Sequence, residues 1–279
     1  MKNIAKFTTA IVLSMSIASV ATAAECTNNT WNRMLERGKL VAGIKADYKP
    51  WGFRDSDGSL IGMEADMAQN VADTLGVELE LVPVLASNRM QFLEQGKIDL
   101  MIATMSDRPD RRAIVGIVTP DYYSSGTNLL APKALGFTEW SDLEGKPVCG
   151  VQGAFYNKLV EERYGAQIIA FSDTAQNLQA LRDKKCVGFI YDDSSLVTTL
   201  ASDGWEDFEM PLETEDATPW GLAVPLEERD CAWGVFMSGM QYRWHESGYL
   251  IELEEKWGIK PTAFLEEQHE KFKDWQAAE

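Results

Sequence analysis

The chain has 279 residues, 45% of them hydrophobic and 25% charged, with a formal net charge of −17 at pH 7. That length and apolar content can bury one large core or two modest ones. So acidic a surface repels nucleic acid and anionic lipid, which excludes both as partners and otherwise reads as solubility.

The first residues differ from the rest. Lys2 and Lys6 give a positive start, IVLSMSIASVA follows, and ATAAE supplies small residues at a cleavage position. This predicts a secretory signal peptide over 1–23, cut after Ala23. Glu25 precedes Cys26 where a lipid-attachment signal wants a small residue, so a soluble exported protein is expected. No later stretch reaches the ~18–20 apolar residues of a membrane span.

KLVAGIK (39–45) predicts a strand opening on DYKPWGF. DSDG is a hairpin turn signal between GF and SLIGME. ADMAQNVADTLG carries Met67, Val71 and Leu75 at helical spacing, with Gly76 placed to end the helix. ELELVPV alternates as a strand, SNRMQFLEQG predicts a short helix capped by Ser87 or Asn88, and IDLMIATM a strand buried on both faces. SDRPDRR (106–112) comes next, three arginines within five positions of an acidic chain. The order strand, helix, strand, helix, strand predicts an α/β layer with a mostly parallel sheet. In such sheets ligands gather at the carboxyl ends of strands, here after Ile44, around Arg89, and from Ala103 to Arg111.

The alternation restarts near residue 130. KPVCGVQG, QIIAFSD and CVGFIYDD predict strands; FYNKLVEERYG and TAQNLQALRDKK predict helices. PWGLAVP is apolar, and 231–259 predicts two helices broken around Gly248. Two unequal blocks suggest two lobes, although one continuous sheet fits the same pattern. Of the four cysteines, Cys149 and Cys186 lie in strand-like runs and could bridge if those strands are neighbours; Cys26 with Cys231 then follows only by exclusion.

Taken in order, GKLVAGIKADYKPWGF, DGSLIGMEADMA, LEQGKIDLMIATMS, PDRRAIVGIVTPDYY, DLEGKPVCGVQG, FIYDD and ESGYLIELEEKWGI resemble the family 3 extracellular solute-binding proteins, receptors of polar amino-acid ABC importers. The resemblance covers nearly the whole mature chain. It implies an α/β, two-lobed periplasmic binding protein fold (type II), each lobe a mostly parallel sheet flanked by helices, with the ligand in the interlobe cleft. Lobe 1 would comprise 24–128 plus 225–279, and lobe 2 residues 129–224. It also implies a periplasmic location, a monomer, an inner-membrane ABC permease as partner, and no cofactor or metal.

Residue by residue, the family pattern places Tyr48 and Trp51 against the aliphatic part of an amino-acid ligand. Ala103, Thr104, Ser106 and Arg111 match the groups that hold its α-carboxylate. Asp192 matches the acid for its α-ammonium, although a one-residue slip would give that role to Asp193. Guanidinium and carboxylate pair through two hydrogen bonds, and an ammonium wants an acceptor, so one cation and one anion on opposite lobes suit a zwitterion. Arg108 and Arg112 are expected at the surface or in salt bridges. Lys45, five residues before Pro50, and Arg89 fall where members that take acidic amino acids carry cations, which implies glutamate or aspartate; a solvated lysine and a helix-surface arginine are the alternatives. Where the family has threonines, this chain has Phe155 and Tyr156, which either meet a larger ligand or pack between lobes. An enzyme on the same scaffold, resembling periplasmic dehydratases, is the competing class. Against it, His245 and His269 lie away from the predicted strand ends, and no catalytic or metal motif is present.

Overall fold

The computed structural model describes Cys26 and residues 29–275. The predicted leader lies outside the described residues. Among the described residues no helix is long and apolar enough to cross a membrane.

Helix α1 (Asn29–Arg37) precedes β1 (Lys39–Lys45). Short strands β2 (Asp47–Tyr48), β3 (Gly52–Arg54) and β4 (Leu60–Ile61) form a small sheet of their own, turning at 55–58. Helix α2 (Met63–Leu75) buries Met63, Met67, Ala68 and Val71, and Gly76 ends it at φ 67°. A fully buried side chain of that size contributes about 1.5–3 kcal/mol. Then come β5 (Glu78–Val84), α3 (Arg89–Glu94), β6 (Leu100–Ile102), the single-turn α4 (Pro109–Arg112) and β7 (Gly116–Ile117).

The chain next enters a second sheet through β8 (Tyr123–Pro132). It continues with β9 (Pro147–Val151), α5 (Phe155–Tyr164), β10 (Gln167–Phe171), α6 (Thr174–Arg182), β11 (Gly188–Asp192), α7 (Asp193–Leu200), β12 (Phe208–Glu209) and β13 (Glu215–Trp220). It returns through β14 (Ala223–Val224) and closes with α8 (Ala232–Ser247), α9 (Tyr249–Trp257) and α10 (Ala263–Phe272).

The first sheet has the order β5-β1-β6-β14-β7, the second β10-β9-β11-β8-β12 with β13 also on β8. Each has a parallel core, β5-β1-β6 and β10-β9-β11, so strands point their carboxyl ends the same way within each sheet. The strands from β8, β13 and β14 are antiparallel additions. Strand membership moves both expected divisions. The cut at 128/129 falls inside β8, which belongs to the second sheet from Tyr123 onward, and β14, assigned to 129–224, pairs with β6 and β7 of the first. The two crossings therefore run over 118–122 and 221–222.

Cys149 on β9 and Cys186, just before β11, form a disulfide, as neighbouring strands allow. Cys26 bridges to Cys231 at the start of α8.

Candidate functional site

The parallel strands of the two sheets end facing one another, and a tight cavity of about 10 Å³ lies between. Its lining from the first half is Lys45, Ala86, Arg89, Thr104, Ser106 and Arg111. The second half supplies Ala154, Phe155, Tyr156, Tyr191 and Asp192.

Each side chain reaches the cavity for a local reason. Lys45 is the last residue of β1 and has no exposed surface; its Nζ lies 2.7 Å from Asp47 Oδ1. That approach is an ion pair without hydrogen-bond alignment, so neither atom has a hydrogen-bond partner. Asn88 caps the turn ahead of α3 by accepting the Leu85 amide at 2.9 Å, and Arg89 on the first turn is buried. One Arg89 nitrogen donates to the carbonyls of Ala103 and Thr104, the latter at 3.0 Å, while Nε is left without a partner.

Thr104 sits at φ 44°, a conformation costly for a β-branched residue. Two contacts hold it. Its amide donates to Glu64 Oε1 at 2.7 Å and lies 2.9 Å from the Tyr122 hydroxyl, which itself donates to Glu64 Oε1 at 2.6 Å. Glu64 is fully buried, and burial pushes its carboxyl up to about 7, against those two hydrogen bonds and the pull of Lys45 and Arg89. Arg111, on the single-turn α4, donates to the Ser106 carbonyl at 3.1 Å and makes no ion pair among the described residues. Burial, with repulsion from Arg89, lowers its guanidinium to about 9.

From the second half, Asp192 ends β11 and is 6% exposed. Burial, reinforced by Asp193, raises its carboxyl to about 7. Asp193 does not compete for the cavity: it accepts from the Ser125 hydroxyl (2.6 Å), the Gly126 amide (3.1 Å) and its neighbour Ser194's amide (2.8 Å). The cavity thus holds an acid pushed up and a base pushed down, each deprived of water and outside any ion pair among the described residues, although Arg89 and Lys45 act on Asp192 through space.

The two halves also touch directly. Asp47 Oδ2 accepts the Thr174 amide at 3.2 Å, the Tyr48 hydroxyl lies 3.1 Å from Ser194 Oγ, and Arg108 stacks 4.5 Å above the Phe155 ring. Gly153, at φ 86°, lies so close to Ser87 that an added Cβ would stand 2.8 Å from its Cα.

Of the predicted positions, Lys45, Arg89, Thr104, Ser106, Arg111, Phe155 and Asp192 meet at the cavity. Tyr48 and Trp51 do not line it: both are fully buried, with the Tyr48 ring 5.1 Å from Tyr191 and Trp51 packed on Tyr123 and Trp220. Ala103 contributes a carbonyl to Arg89 rather than a wall. Ala86, Ala154 and Tyr191 are lining residues that the sequence did not suggest. Arg112 pairs with Asp107, away from the cavity. Among the described residues no cluster could hold a metal ion.

A family model described as bacterial extracellular solute-binding proteins, family 3, matches residues 40–260. The chain belongs to that family. As a family 3 solute-binding protein it is 32% identical over 196 residues to the L-cystine-binding protein TcyJ of Escherichia coli, covering 69% of each chain. Its fold matches that of an arginine-binding protein, ArgBP, from T. maritima (TM-score 0.77, 24% identity, 83% of this chain and 100% of the other). It also matches the cysteine-binding protein of Campylobacter jejuni (TM-score 0.76, 21% identity, 82% and 92%). The architecture is that of the two-lobed periplasmic binding proteins, and the cavity of this family 3 chain lies between its lobes.

Proposed function

We propose that the protein binds a polar α-amino acid between its lobes and delivers it, from the periplasm and as a monomer, to an ABC permease. One observation carries this reading: Arg111 and Asp192, from opposite lobes, face one buried cavity without an ion pair. A zwitterion answers both charges at once, its carboxylate on Arg111 and its ammonium on Asp192. A buried charge left unanswered costs several kcal/mol, so the ligand draws the lobes together by supplying two counter-charges.

Lys45 and Arg89 border the same cavity, which supports a side chain bearing a second carboxylate, glutamate or aspartate. The likeness to a cystine-binding protein favours a second reading: cystine also carries a second carboxylate, which Lys45 and Arg89 would answer. An enzyme on this scaffold would have to use Glu64 or Asp192 as its acid or base. His245 and His269 stand in α8 and α10 and bond the carbonyls of Asp121 and His245.

The test is calorimetry of residues 24–279, unfolded and refolded to strip carried ligand, against glutamate, aspartate, cystine, glutamine, histidine and arginine. Mass spectrometry of the titrated ligand follows any turnover. Tight binding of one amino acid without turnover supports the receptor reading. Preference for a basic side chain overturns the acidic assignment, and silence across the panel overturns the amino-acid reading.

A further inference from the structure

Asp47 stands outside the cavity lining, yet its carboxylate joins the lobes. Oδ1 lies 2.7 Å from Lys45 Nζ, and Lys45 borders the cavity. Oδ2 accepts the Thr174 amide at 3.2 Å, at the first residue of α6 in the opposite lobe. A helix leaves its first amides unpaired, and its dipole favours an anion there. The side chain of Asp173 caps the same helix by accepting the Gln176 amide, so Asp47 takes a donor that the helix's own cap does not.

We propose that Asp47 is a specificity-determining residue that sets how much positive charge Lys45 presents to the ligand and, through α6, ties that charge to lobe closure. The inference rests on the cavity being an amino-acid site. The ion pair takes part of the Lys45 charge but none of its hydrogen bonds, since Nζ and Oδ1 are misaligned. A ligand oxygen can therefore bond Nζ while Asp47 keeps its hold on α6. Glu64 and Asp192 also act on Lys45 through space, and Arg89 on both of those acids, so Asp47 is the contact partner in a wider set of charges. It is the member of that set whose carboxylate bonds the amide of α6.

Two variants separate the two roles. Asp47→Asn removes the charge beside Lys45 and keeps an oxygen for the Thr174 amide; Asp47→Ala removes both. Calorimetry and stopped-flow fluorescence with glutamate and glutamine read them. Both variants are expected to raise the glutamate-over-glutamine affinity ratio, by roughly tenfold, because Lys45 loses its anion. Only Asp47→Ala is expected to speed dissociation of both ligands, by roughly tenfold. An unchanged ratio in Asp47→Asn overturns the charge-setting role, and equal dissociation rates in the two variants overturn the closure role. Should Asp47→Ala fail to fold, Asp47→Asn still reads the ratio. If the wild-type protein binds neither amino acid, the glutamate assignment falls, and the amino-acid reading is decided by the rest of the panel. The contact with α6 is then read from hydrogen exchange of the Thr174 amide, faster in Asp47→Ala than in wild type if Asp47 holds it, equal if it does not.

Discussion

Asp192 and Asp193 are adjacent in sequence and opposite in environment. Asp193 accepts three hydrogen bonds at 2.6–3.1 Å, whereas the Asp192 carboxyl is pushed up to about 7 at the cavity wall. Asp192→Asn should therefore weaken ligand binding by about 2–5 kcal/mol, roughly 30-fold or more, with little effect on folding. Asp193→Asn should do the reverse, lowering stability by about 1–3 kcal/mol. Calorimetry alongside thermal melts decides, and the opposite ranking would reassign the ammonium partner.

Binding should depend on pH through the same carboxyl. In the empty cleft Asp192 ionises near 7, and a ligand ammonium favours its ionised form. Below that pH the ligand must displace a proton, so affinity should fall by roughly tenfold per unit and level off above it. Titrations at pH 6 in buffers of different ionisation enthalpy should show proton release. Stability of the empty protein has the other sign. Glu64, Asp121 and Asp192 are all raised to about 7 by burial, so their contribution is present below the ordinary carboxyl range and is lost as pH rises from about 4 to about 7. Melting of the ligand-free protein should be higher at pH 5 than at pH 8, and Asp121→Asn should narrow the gap. Equal melting temperatures would show these acids not to be held neutral.

Gly153 meets Ser87 across the cleft in a conformation with φ 86°. An alanine there would bring its Cβ within 2.8 Å of a backbone atom of the other lobe. Gly153→Ala should block full closure, weakening binding tenfold or more and leaving the radius of gyration of the ligand-treated protein nearer that of the empty one. Small-angle scattering that shows normal compaction would remove this contact from the closing surface.

Glu64 holds the Thr104 amide in its left-handed turn and accepts the Tyr122 hydroxyl. Glu64→Gln keeps one oxygen acceptor and removes the buried acid, so stability should change by about 1 kcal/mol or less. Glu64→Ala leaves the Tyr122 hydroxyl without its acceptor and the Thr104 amide with that hydroxyl alone, and should cost about 1–3 kcal/mol in urea unfolding, with loss of ligand affinity. Equal stability of the two variants would show that this oxygen does not hold the turn.

Loss of the Cys149–Cys186 bridge opens a loop closed over 37 residues, worth about 4 kcal/mol by loop-closure entropy. The double serine variant should lose about that much stability to urea while keeping its ligand preference, because both cysteines lie off the cavity lining. A changed preference would tie the bridge to the cleft.

The parallel units were legible because their signals are local. Met67, Val71 and Leu75 repeat at helical spacing, and CVGFIY is a run long enough for a strand and too short for a helix. Strand β8 was not legible. YSSGTNLLAP opens with serines, glycine, threonine and asparagine and lacks a strand's apolar alternation, yet it is the strand on which β11, β12 and β13 pair. Some of its polar side chains pair with residues far along the chain, as when Asn128 donates to the Leu212 carbonyl. Helix α10 was missed, although the two helices before it and the break at Gly248 were read. At the site, Arg111, Asp192, Lys45 and Arg89 were found through the family pattern, whereas nothing local marks Glu64 or Tyr191. Glu64 matters because α2 carries it to a turn 40 residues away, and Tyr191 because the last residues of β11 face the cleft.

Tyr123 and Trp220 are register partners where the second sheet begins and ends. Everything between them leaves and rejoins the first lobe through two neighbouring backbone positions. The second lobe is thus a cassette with adjacent ends, and a relative's counterpart could be spliced in at those two points without rerouting the chain. Since it brings Asp192, Tyr156 and the α6 terminus while the host keeps Arg111, Lys45 and Arg89, such a graft would exchange half of the cavity lining in a single step.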